Sequence, residues 1–121
     1  DARVGESPGL PDKDAIVLRL RLIREELSEL EKSIDGQDIV DVADALADLL
    51  YVTYGTAIAF GIDIRPVFKE VHRANMTKEG GKVRADGKIL KPEGWKPPRI
   101  EDVLCRQGTI ARGSRDEGTG S

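Results

Sequence analysis

Two pairs of carboxylates are spaced so that each pair lies on one face of a helix. The first pair, Glu26 and Glu29, continues a stripe that Leu18 and Leu22 begin, at intervals of four and three residues. A face that starts apolar therefore ends in two acids. Because burying an unpartnered carboxylate is costly, a purely structural helix would favour leucine or alanine at these positions. The pattern predicts half-buried carboxylates that serve a chemical purpose.

The second pair, Asp44 and Asp48, is also one helical turn apart. Asp48 stands within an otherwise apolar run, which predicts that it is mostly buried. Two acids from each of two antiparallel helices would surround a hard divalent cation with oxygen ligands. The alternative is that acids of this kind lie on the solvated edges of amphipathic helices, and we favour that interpretation for Glu31, Asp35 and Asp38.

The supply of other ligand types narrows the choice of metal. The chain has one histidine, His72, and one cysteine, Cys105, which are too few for a zinc site. A di-iron carboxylate bundle needs Glu-x-x-His pairs, but the residue three positions before His72 is Lys69. Oxygen-only ligands favour Mg²⁺, with Mn²⁺ as the alternative, and Mg²⁺ implies a phosphate-bearing substrate that completes its shell.

A basic segment follows the acidic centre of the chain. From Lys78 to Arg99 the basic residues outnumber the acids by seven to three. An acidic centre followed by a basic arm is what a metal–polyphosphate site requires, although solvated helix faces carry similar runs of charge. Charge alone does not choose between these interpretations.

Hydrophobic periodicity predicts three helices that would position these residues. The first begins after Asp12 or Asp14 and ends at Gly36, the second spans about 38–60, and the third begins at Asp63 or Ile64 and ends at Gly80-Gly81. Steps of four and three residues define the seams that we expect to be buried. These seams are Ile16, Leu20, Ile23, Leu27, Leu30 and Ile34 in the first helix, and Ile39, Ala43, Leu46, Leu50, Thr53, Ala57 and Phe60 in the second.

The remainder of the chain is predicted to be irregular. Asp86-Gly87 lies between short β-capable runs and predicts a small hairpin over residues 83–90. A proline-rich stretch then predicts an extended arm in which Trp95 is the single large anchor. Residues 100–107 are expected to form a short last helix, and residues 108–121 a flexible tail.

Composition sets the fold class and several exclusions. The chain has 121 residues and 4% aromatic residues, which favours one all-α domain over residues 1–107 and argues against a β-sandwich. The later half of the second helix is apolar nearly all round, so we expect a helical bundle completed by a homodimer or homotetramer. No uninterrupted apolar run is long enough to span a membrane, and the net charge of −3 argues against nucleic-acid partners. A single cysteine fits a cytoplasmic, reducing location.

An ordered set of segments resembles one enzyme family. Residues 24–30 have the form Glu-Glu-x-x-Glu, and residues 44–55, 70–78 and 87–98 continue the likeness. Together they resemble the all-α nucleoside triphosphate pyrophosphohydrolases of the MazG-like group, and within it the phosphoribosyl-ATP pyrophosphohydrolase-like branch, which includes dUTP-hydrolysing members. Glu-Glu-x-x-Glu alone is a weak signal, whereas the ordered set over most of the chain is a strong one.

The resemblance implies a role for individual residues. It matches Glu26, Glu29 and Asp48 to metal ligands, and Glu25 to an acid that positions or activates water. The family pattern often has glutamate three residues before the aspartate, where this chain has Ala45. Asp44, one residue earlier, is the candidate for the fourth metal ligand in its place. The resemblance further matches Asn75 and Lys78 to substrate-contacting residues, three apart on one helical face.

The resemblance implies a Mg²⁺-dependent hydrolase that cleaves a nucleoside triphosphate to a monophosphate and pyrophosphate. House-cleaning of dUTP or non-standard nucleotides is one expected use of such an enzyme. Two alternatives stay open. One is a non-catalytic helical binding or assembly module, and the other is a nucleotide sensor that binds but turns over poorly, which the alanine at position 45 permits.

Overall fold

The computed structural model describes residues 7–78, 83–88 and 90–108, and the described residues form four helices and no strand. Contacts divide the chain into two compact units. The first contains α1 and α2, and the second, Asp63–Gln107, contains α3 and α4. The helices are α1 (Lys13–Asp35), α2 (Ile39–Ala59), α3 (Ile64–Met76) and α4 (Ile100–Cys105). The all-α prediction is confirmed.

Aspartate side chains start the three long helices. Asp12, Asp38 and Asp63 each accept a hydrogen bond from a backbone N–H in the first turn, at 2.8–3.2 Å. These bonds satisfy donors that have no partner inside the helix, which is why aspartate is favoured at this position. The predicted starts of α1 and α3 are therefore confirmed, as is Gly36 as the cap that ends α1.

Helices α1 and α2 form a helical hairpin, because only residues 36–38 connect them. Along α2 the buried positions Ala45, Val52 and Ala59 recur every seven residues and face α1. On α1 no residue is fully buried, but half-buried positions recur at the same spacing. We call these two rows the facing stripes: Ala15, Arg19, Leu22, Glu26 and Ser33 on α1, and Val42, Ala45, Leu49, Val52, Thr56 and Ala59 on α2.

The predicted buried seams are wrong in part, because they lie beside the facing stripes. Ile16, Ile23, Leu30 and Phe60 are half-buried and Ala57 is buried, but Ile39, Ala43 and Thr53 are exposed. Five apolar residues that each follow a facing-stripe residue by one position are between 44% and 55% exposed. They form what we call the apolar side of the hairpin: Leu20, Leu27, Ile34, Leu46 and Leu50. Small side chains such as Ala45 let the helices approach each other, so the leucines beside them are left outside the contact.

The second unit is fastened by polar contacts between its ends. The Asp63 backbone N–H donates to the Gln107 side chain at 2.9 Å, and the Gln107 amide donates back to the Asp63 carbonyl at 3.0 Å. Between these ends, Glu70 on α3 accepts a hydrogen bond from the backbone N–H of Arg99, just before α4. The short last helix is thus confirmed and held against α3.

The segment between α3 and α4 differs from its prediction at its start and agrees with it at its turn. α3 ends at Met76 with Thr77 as its cap, earlier than the predicted Gly80-Gly81, which lies outside the described residues. The turn at Asp86-Gly87 is present, with the Arg84 N–H donating to the Lys88 carbonyl at 2.7 Å, and Val83 before it is in a β-bridge. The described residues thus show the turn and a bridge of the predicted hairpin, whereas Ile89 lies outside them.

Two further predictions stay open. The tail predicted from residue 108 onward lies outside the described residues except for Gly108, and the single domain over residues 1–107 stays a prediction.

α2 is long and apolar enough to cross a membrane, by length and composition only. One such helix is weak evidence, because the core helix of a soluble protein passes the same test.

Candidate functional site

Arg19 fixes how α1 and α2 are aligned along the hairpin. Its Nε–H donates to the Thr56 hydroxyl at 3.3 Å, and its Nη2–H donates to the Val52 carbonyl at 3.2 Å. The Thr56 hydroxyl itself donates to the same carbonyl at 2.7 Å. A Cβ at position 55 would clash with Arg19 Nη2, so glycine makes room for the guanidinium. Arg19 therefore lies level with residues 52–56.

This alignment brings the two predicted carboxylate pairs level with each other. The helices run antiparallel, so a step toward the C-terminus of α1 corresponds to an equal step toward the N-terminus of α2. Glu26 follows Arg19 by seven residues, and it is therefore level with positions 45–49, seven before 52–56, which include Asp48. Moving ten on, to Glu29, reaches positions 42–46 and thus Asp44. The sequence placed each pair on its own helix, and the hairpin places the pairs at the same height.

Three of these carboxylates, Glu29, Asp44 and Asp48, also lie on one side of the hairpin. Glu29 and Asp48 each follow a facing-stripe residue by three positions, Glu26 and Ala45 respectively. Equal offsets on antiparallel helices point to the same side. Glu25 and Asp44 each precede those stripe residues by one position and point to that side as well. We call this surface, opposite the apolar side, the acidic side: Glu25, Glu29, Asp44 and Asp48.

Burial distinguishes Glu26 from the other predicted ligands. Glu26 is half-buried in the facing stripe, as predicted, whereas Glu29, Asp44 and Asp48 are exposed. The predictions that Asp48 is mostly buried and Glu29 half-buried are wrong. The physical reason is that the buried contact runs through small residues such as Ala45, and the positions three residues later point past the neighbouring helix.

The carboxylates are brought together on one surface but not into a closed cluster. Within residues 7–78, 83–88 and 90–108, no three Asp, Glu, His or Cys side chains form a group that could hold a metal ion. The donors of this surface are nonetheless all carboxylate oxygens, the set that suits Mg²⁺ or Mn²⁺. The ligand set Glu26, Glu29, Asp44 and Asp48 stays a prediction, as does Glu25 as the catalytic acid.

The departure at Ala45 has a structural counterpart. Ala45 is 4% exposed and sits in the facing stripe, where a longer acidic side chain would point into the contact with α1. Asp44, the residue before it, is exposed on the acidic side. The position of Asp44 is therefore compatible with its predicted use in place of residue 45.

Asn75 and Lys78 lie in the second unit, around the end of α3. The Lys78 backbone N–H donates to the Asn75 carbonyl at 3.1 Å, so both belong to the last turn. The Asn75 side chain is exposed, whereas Lys78 is half-buried with its Nζ 5.1 Å from the centre of the Trp95 ring. Their predicted contacts with substrate stay a prediction.

Glu70 is a residue that sequence reasoning missed. Both of its carboxylate oxygens accept hydrogen bonds from Arg73, at 2.9 and 2.8 Å, and one also accepts the Arg99 N–H at 2.8 Å. The bonds from Arg73, and then that from Arg99, lower the pKa of Glu70 to about 2. The spacing of Glu70 and Arg73 could have indicated the ion pair, but the bond to Arg99 depends on tertiary structure.

Arg19 and Gly55 were also missed. Arg19 stands among the leucines and isoleucines of α1, and Gly55 stands inside an otherwise helix-favouring stretch of α2. Each is unexpected at its position, and together they were the available signal in the sequence. The structure explains both residues together, because the Arg19 guanidinium occupies the space that a side chain at position 55 would fill.

Residues 2–75 match the family model described as phosphoribosyl-ATP pyrophosphohydrolase. The match covers more than half of the chain, and the chain belongs to this family. The family is named for a pyrophosphohydrolase, a hydrolase that acts on an acid anhydride, and its members generally depend on a divalent metal.

The chain is also similar to an uncharacterized protein of Acanthamoeba polyphaga mimivirus. The two are 41% identical over 49 residues, which are 40% of this chain and 20% of the viral protein. The chain thus spans about a fifth of the length of this relative. The predicted carboxylates and Asn75 fall inside the range that matches the family model, whereas Lys78 and the basic arm lie beyond it.

Proposed function

We propose that this chain is a Mg²⁺-dependent nucleoside triphosphate pyrophosphohydrolase that releases pyrophosphate and a nucleoside monophosphate. The observation that carries the proposal is the alignment of the hairpin, in which Arg19 sets Glu26 level with Asp48 and Glu29 level with Asp44. Two acids on each of two helices, matched in height across the hairpin, are a means of holding a cation between a protein and a phosphate chain.

The proposed ion is held by Glu26, Glu29, Asp44 and Asp48. When bound, Mg²⁺ neutralises phosphate charge and lowers the pKa of a coordinated water. Glu25, on the same side and beside Glu26 in sequence, orients the attacking water and accepts its proton. Its exposed position on the acidic side supports this assignment.

Asn75 and Lys78 supply the proposed contacts with substrate. The Asn75 amide donates to the sugar, and the Lys78 ammonium binds a phosphate as a point charge. The range matched by the family model supports Asn75, and the half-buried position of Lys78 supports an ordered side chain there. We further propose dUTP or non-standard nucleotides as substrates, in a house-cleaning role.

We also propose that the protein is a homodimer or homotetramer. The apolar side of the hairpin supports this, because its five leucine and isoleucine side chains are about half exposed in the single chain. Light scattering coupled to gel filtration tests it, and a monomer at micromolar concentration contradicts it. The exposed, unpaired Cys105 supports a reducing, cytoplasmic location, with which neither membrane nor nucleic-acid partners are expected.

The decisive experiment measures pyrophosphate release from a panel of nucleotides with and without Mg²⁺. The panel contains the common nucleoside and deoxynucleoside triphosphates, dUTP and phosphoribosyl-ATP, since the family model is described by the last of these. Formation of pyrophosphate and a monophosphate only with Mg²⁺ or Mn²⁺ is the expected result. Release of single phosphates instead would contradict the proposed reaction.

Two outcomes would favour the alternatives. Titration calorimetry that shows nucleotide binding without turnover would identify a sensor, for which the alanine at position 45 is the motivating observation. Neither binding nor turnover of any nucleotide would identify a helical assembly module.

A further inference from the structure

Two lysine side chains meet at one aromatic ring in the second unit. Lys78 Nζ lies 5.1 Å from the centroid of the Trp95 ring, and Lys91 Nζ lies 5.0 Å from it. The two ammonium groups are therefore at most about 10 Å apart, the sum of the two distances. Each is held by attraction to the electron-rich face of the indole. The result is a local concentration of positive charge with a fixed aromatic surface at its centre.

The fold fixes the ring in place. Trp95 Nε1–H donates to the Ala74 carbonyl at 2.8 Å, and Ala74 has no exposed surface. The Trp95 backbone N–H donates to the Pro92 carbonyl at 3.1 Å and closes a tight turn. Gly94 has φ +81° in this turn, a conformation that favours glycine. The turn folds the chain back so that Lys91, which precedes it, meets the ring.

Among the described residues, no acid neutralises the positive charge at this place. Neither Lys78 nor Lys91 forms an ion pair with an acid among the residues that the structure describes. Asp86, the nearest acid before Lys91 in sequence, is bound by Arg84 at 2.6 Å. Glu93, in the turn itself, is exposed. A ligand with several negative charges would therefore find two ammonium groups available.

We propose that Lys78, Lys91 and Trp95 form a binding site for a condensed phosphate chain, the di- or triphosphate part of a nucleotide. The inference deepens the proposed function and rests on it for its biological meaning, since it adds Lys91 and Trp95 to the predicted contact of Lys78. Ammonium groups bind phosphates as point charges, and stacking of their side chains on the ring reduces the entropy lost on binding.

The observations favour a phosphate chain over a nucleic acid. A nucleic acid needs basic residues spread along its backbone, whereas here two charges converge on one ring in a chain whose net charge is −3. An oligonucleotide is nonetheless the natural competitor, and the experiment includes it.

Trp95 is the only tryptophan of the chain, so intrinsic fluorescence reports this place alone. The full chain in EDTA is titrated with tripolyphosphate, pyrophosphate and orthophosphate, and the same titrations are followed by calorimetry. Saturable binding of tripolyphosphate at one site per chain, at least about tenfold tighter than that of orthophosphate, is expected. The affinity should fall as salt concentration rises, because exposed charges are screened.

Variants distinguish the site from general basicity. Lys91→Gln should weaken tripolyphosphate binding by about tenfold, and Lys91→Arg should restore most of it. Lys96→Gln is the matched control, because Lys96 is an exposed lysine next to Trp95 with no contact over the ring, and it should change the affinity less than about twofold. Circular dichroism establishes that each variant keeps its helix content.

Three results would overturn the inference. The first is that neither fluorescence nor calorimetry detects tripolyphosphate binding, and the second is that Lys91→Gln and Lys96→Gln lose the same affinity for it. The third is that a short single-stranded oligonucleotide binds more tightly than tripolyphosphate. Because the titration needs neither metal nor turnover, its failure is separate from that of the proposed function. If tripolyphosphate binds but no nucleotide releases pyrophosphate, the proposed enzymatic activity is refuted and the binding site is kept. If pyrophosphate is released but tripolyphosphate does not bind, only the binding site is refuted.

Discussion

In the α1–α2 hairpin the described carboxylates of the acidic side are left largely uncompensated. In the unit of residues 63–107, by contrast, four acids are bound by arginines. Glu29 has a loose partner in Lys32, at 3.6 Å, and within the described ranges Glu25, Asp44 and Asp48 form no ion pair. In the second unit the ion pairs are short, 2.6–2.8 Å. They are Asp63 with Arg65, Glu70 with Arg73, Asp86 with Arg84, and Asp102 with Arg99.

The difference shows that the two units have opposite charges to offer. The first unit keeps its carboxylates available on one surface, which suits a cation. In the second unit arginines neutralise four of the acids, and the lysines Lys78 and Lys91 form no ion pair with a described acid, which suits an anion.

The largest expected effect is on activity. Asp48→Asn removes one charge from the acidic side without changing its volume, and pyrophosphate release should fall by about 100-fold because a proposed metal ligand is weakened. Asp35→Asn, at the exposed end of α1, is the matched control and should stay within about twofold of the unchanged protein. Equal activities of the two variants would remove Asp48 from the site.

Next in size is the loss of the polar tie between α1 and α2. Arg19→Ala deletes two hydrogen bonds from a charged donor and should lower the free energy of unfolding by about 1–3 kcal/mol, measured in urea. Arg21→Ala removes an exposed arginine from the same helix and should cost less than about 0.5 kcal/mol. Similar costs for both would mean that Arg19 does not set the alignment.

A smaller effect concerns the glycine opposite Arg19. Alanine is better than glycine in a helix by about 1 kcal/mol, but in Gly55→Ala the new Cβ would displace the guanidinium. The substitution should therefore bring no gain in the unchanged protein and about 1 kcal/mol of stabilisation in the Arg19→Ala background. A double-mutant cycle measures the difference. The same gain in both backgrounds would contradict the close approach.

The smallest effect is a dependence of the second unit on pH. The pKa of Glu70 is lowered from 4.5 to about 2 in the folded chain, so its contribution is complete above about pH 4.5 and is lost as the pH falls towards 2. Trp95 fluorescence, which reports packing on α3 through the bond to Ala74, should change over this range.

Two glutamate variants test the origin of that pH dependence. Glu70→Gln should flatten the transition between pH 4.5 and 2, because the amide does not titrate. Glu93→Gln, in the exposed turn of the arm, should leave it unchanged. A transition that survives in Glu70→Gln would have to come from another acid of this unit, such as Asp102.

Local sequence signals predicted the helices well and their contacts less well. The capping aspartates, such as Asp12 and Asp63, mark helix starts through bonds within a few residues, so they can be found without tertiary structure. The prediction of the buried face was wrong on α2. The hydrophobic pattern pointed to Leu46 and Leu50, which are about half exposed, whereas Ala45 is buried. The hydrophobicity of a side chain indicates how much free energy its burial would contribute. The close packing of two helices, however, depends on which side chains are small enough to let the backbones approach.

Spacing along the chain was sufficient to predict three long helices and the grouping of acids by helical turn, because both are local patterns. The ordered motifs carried the resemblance to the pyrophosphohydrolase family, which the family model then showed. The tertiary structure alone decided that the acid pairs of α1 and α2 stand at the same height. It also decided that Asp48 faces outward and that Lys91 meets Lys78 at the Trp95 ring. These outcomes depend on contacts between residues up to 37 positions apart, such as Arg19 with Thr56, and no local pattern encodes them.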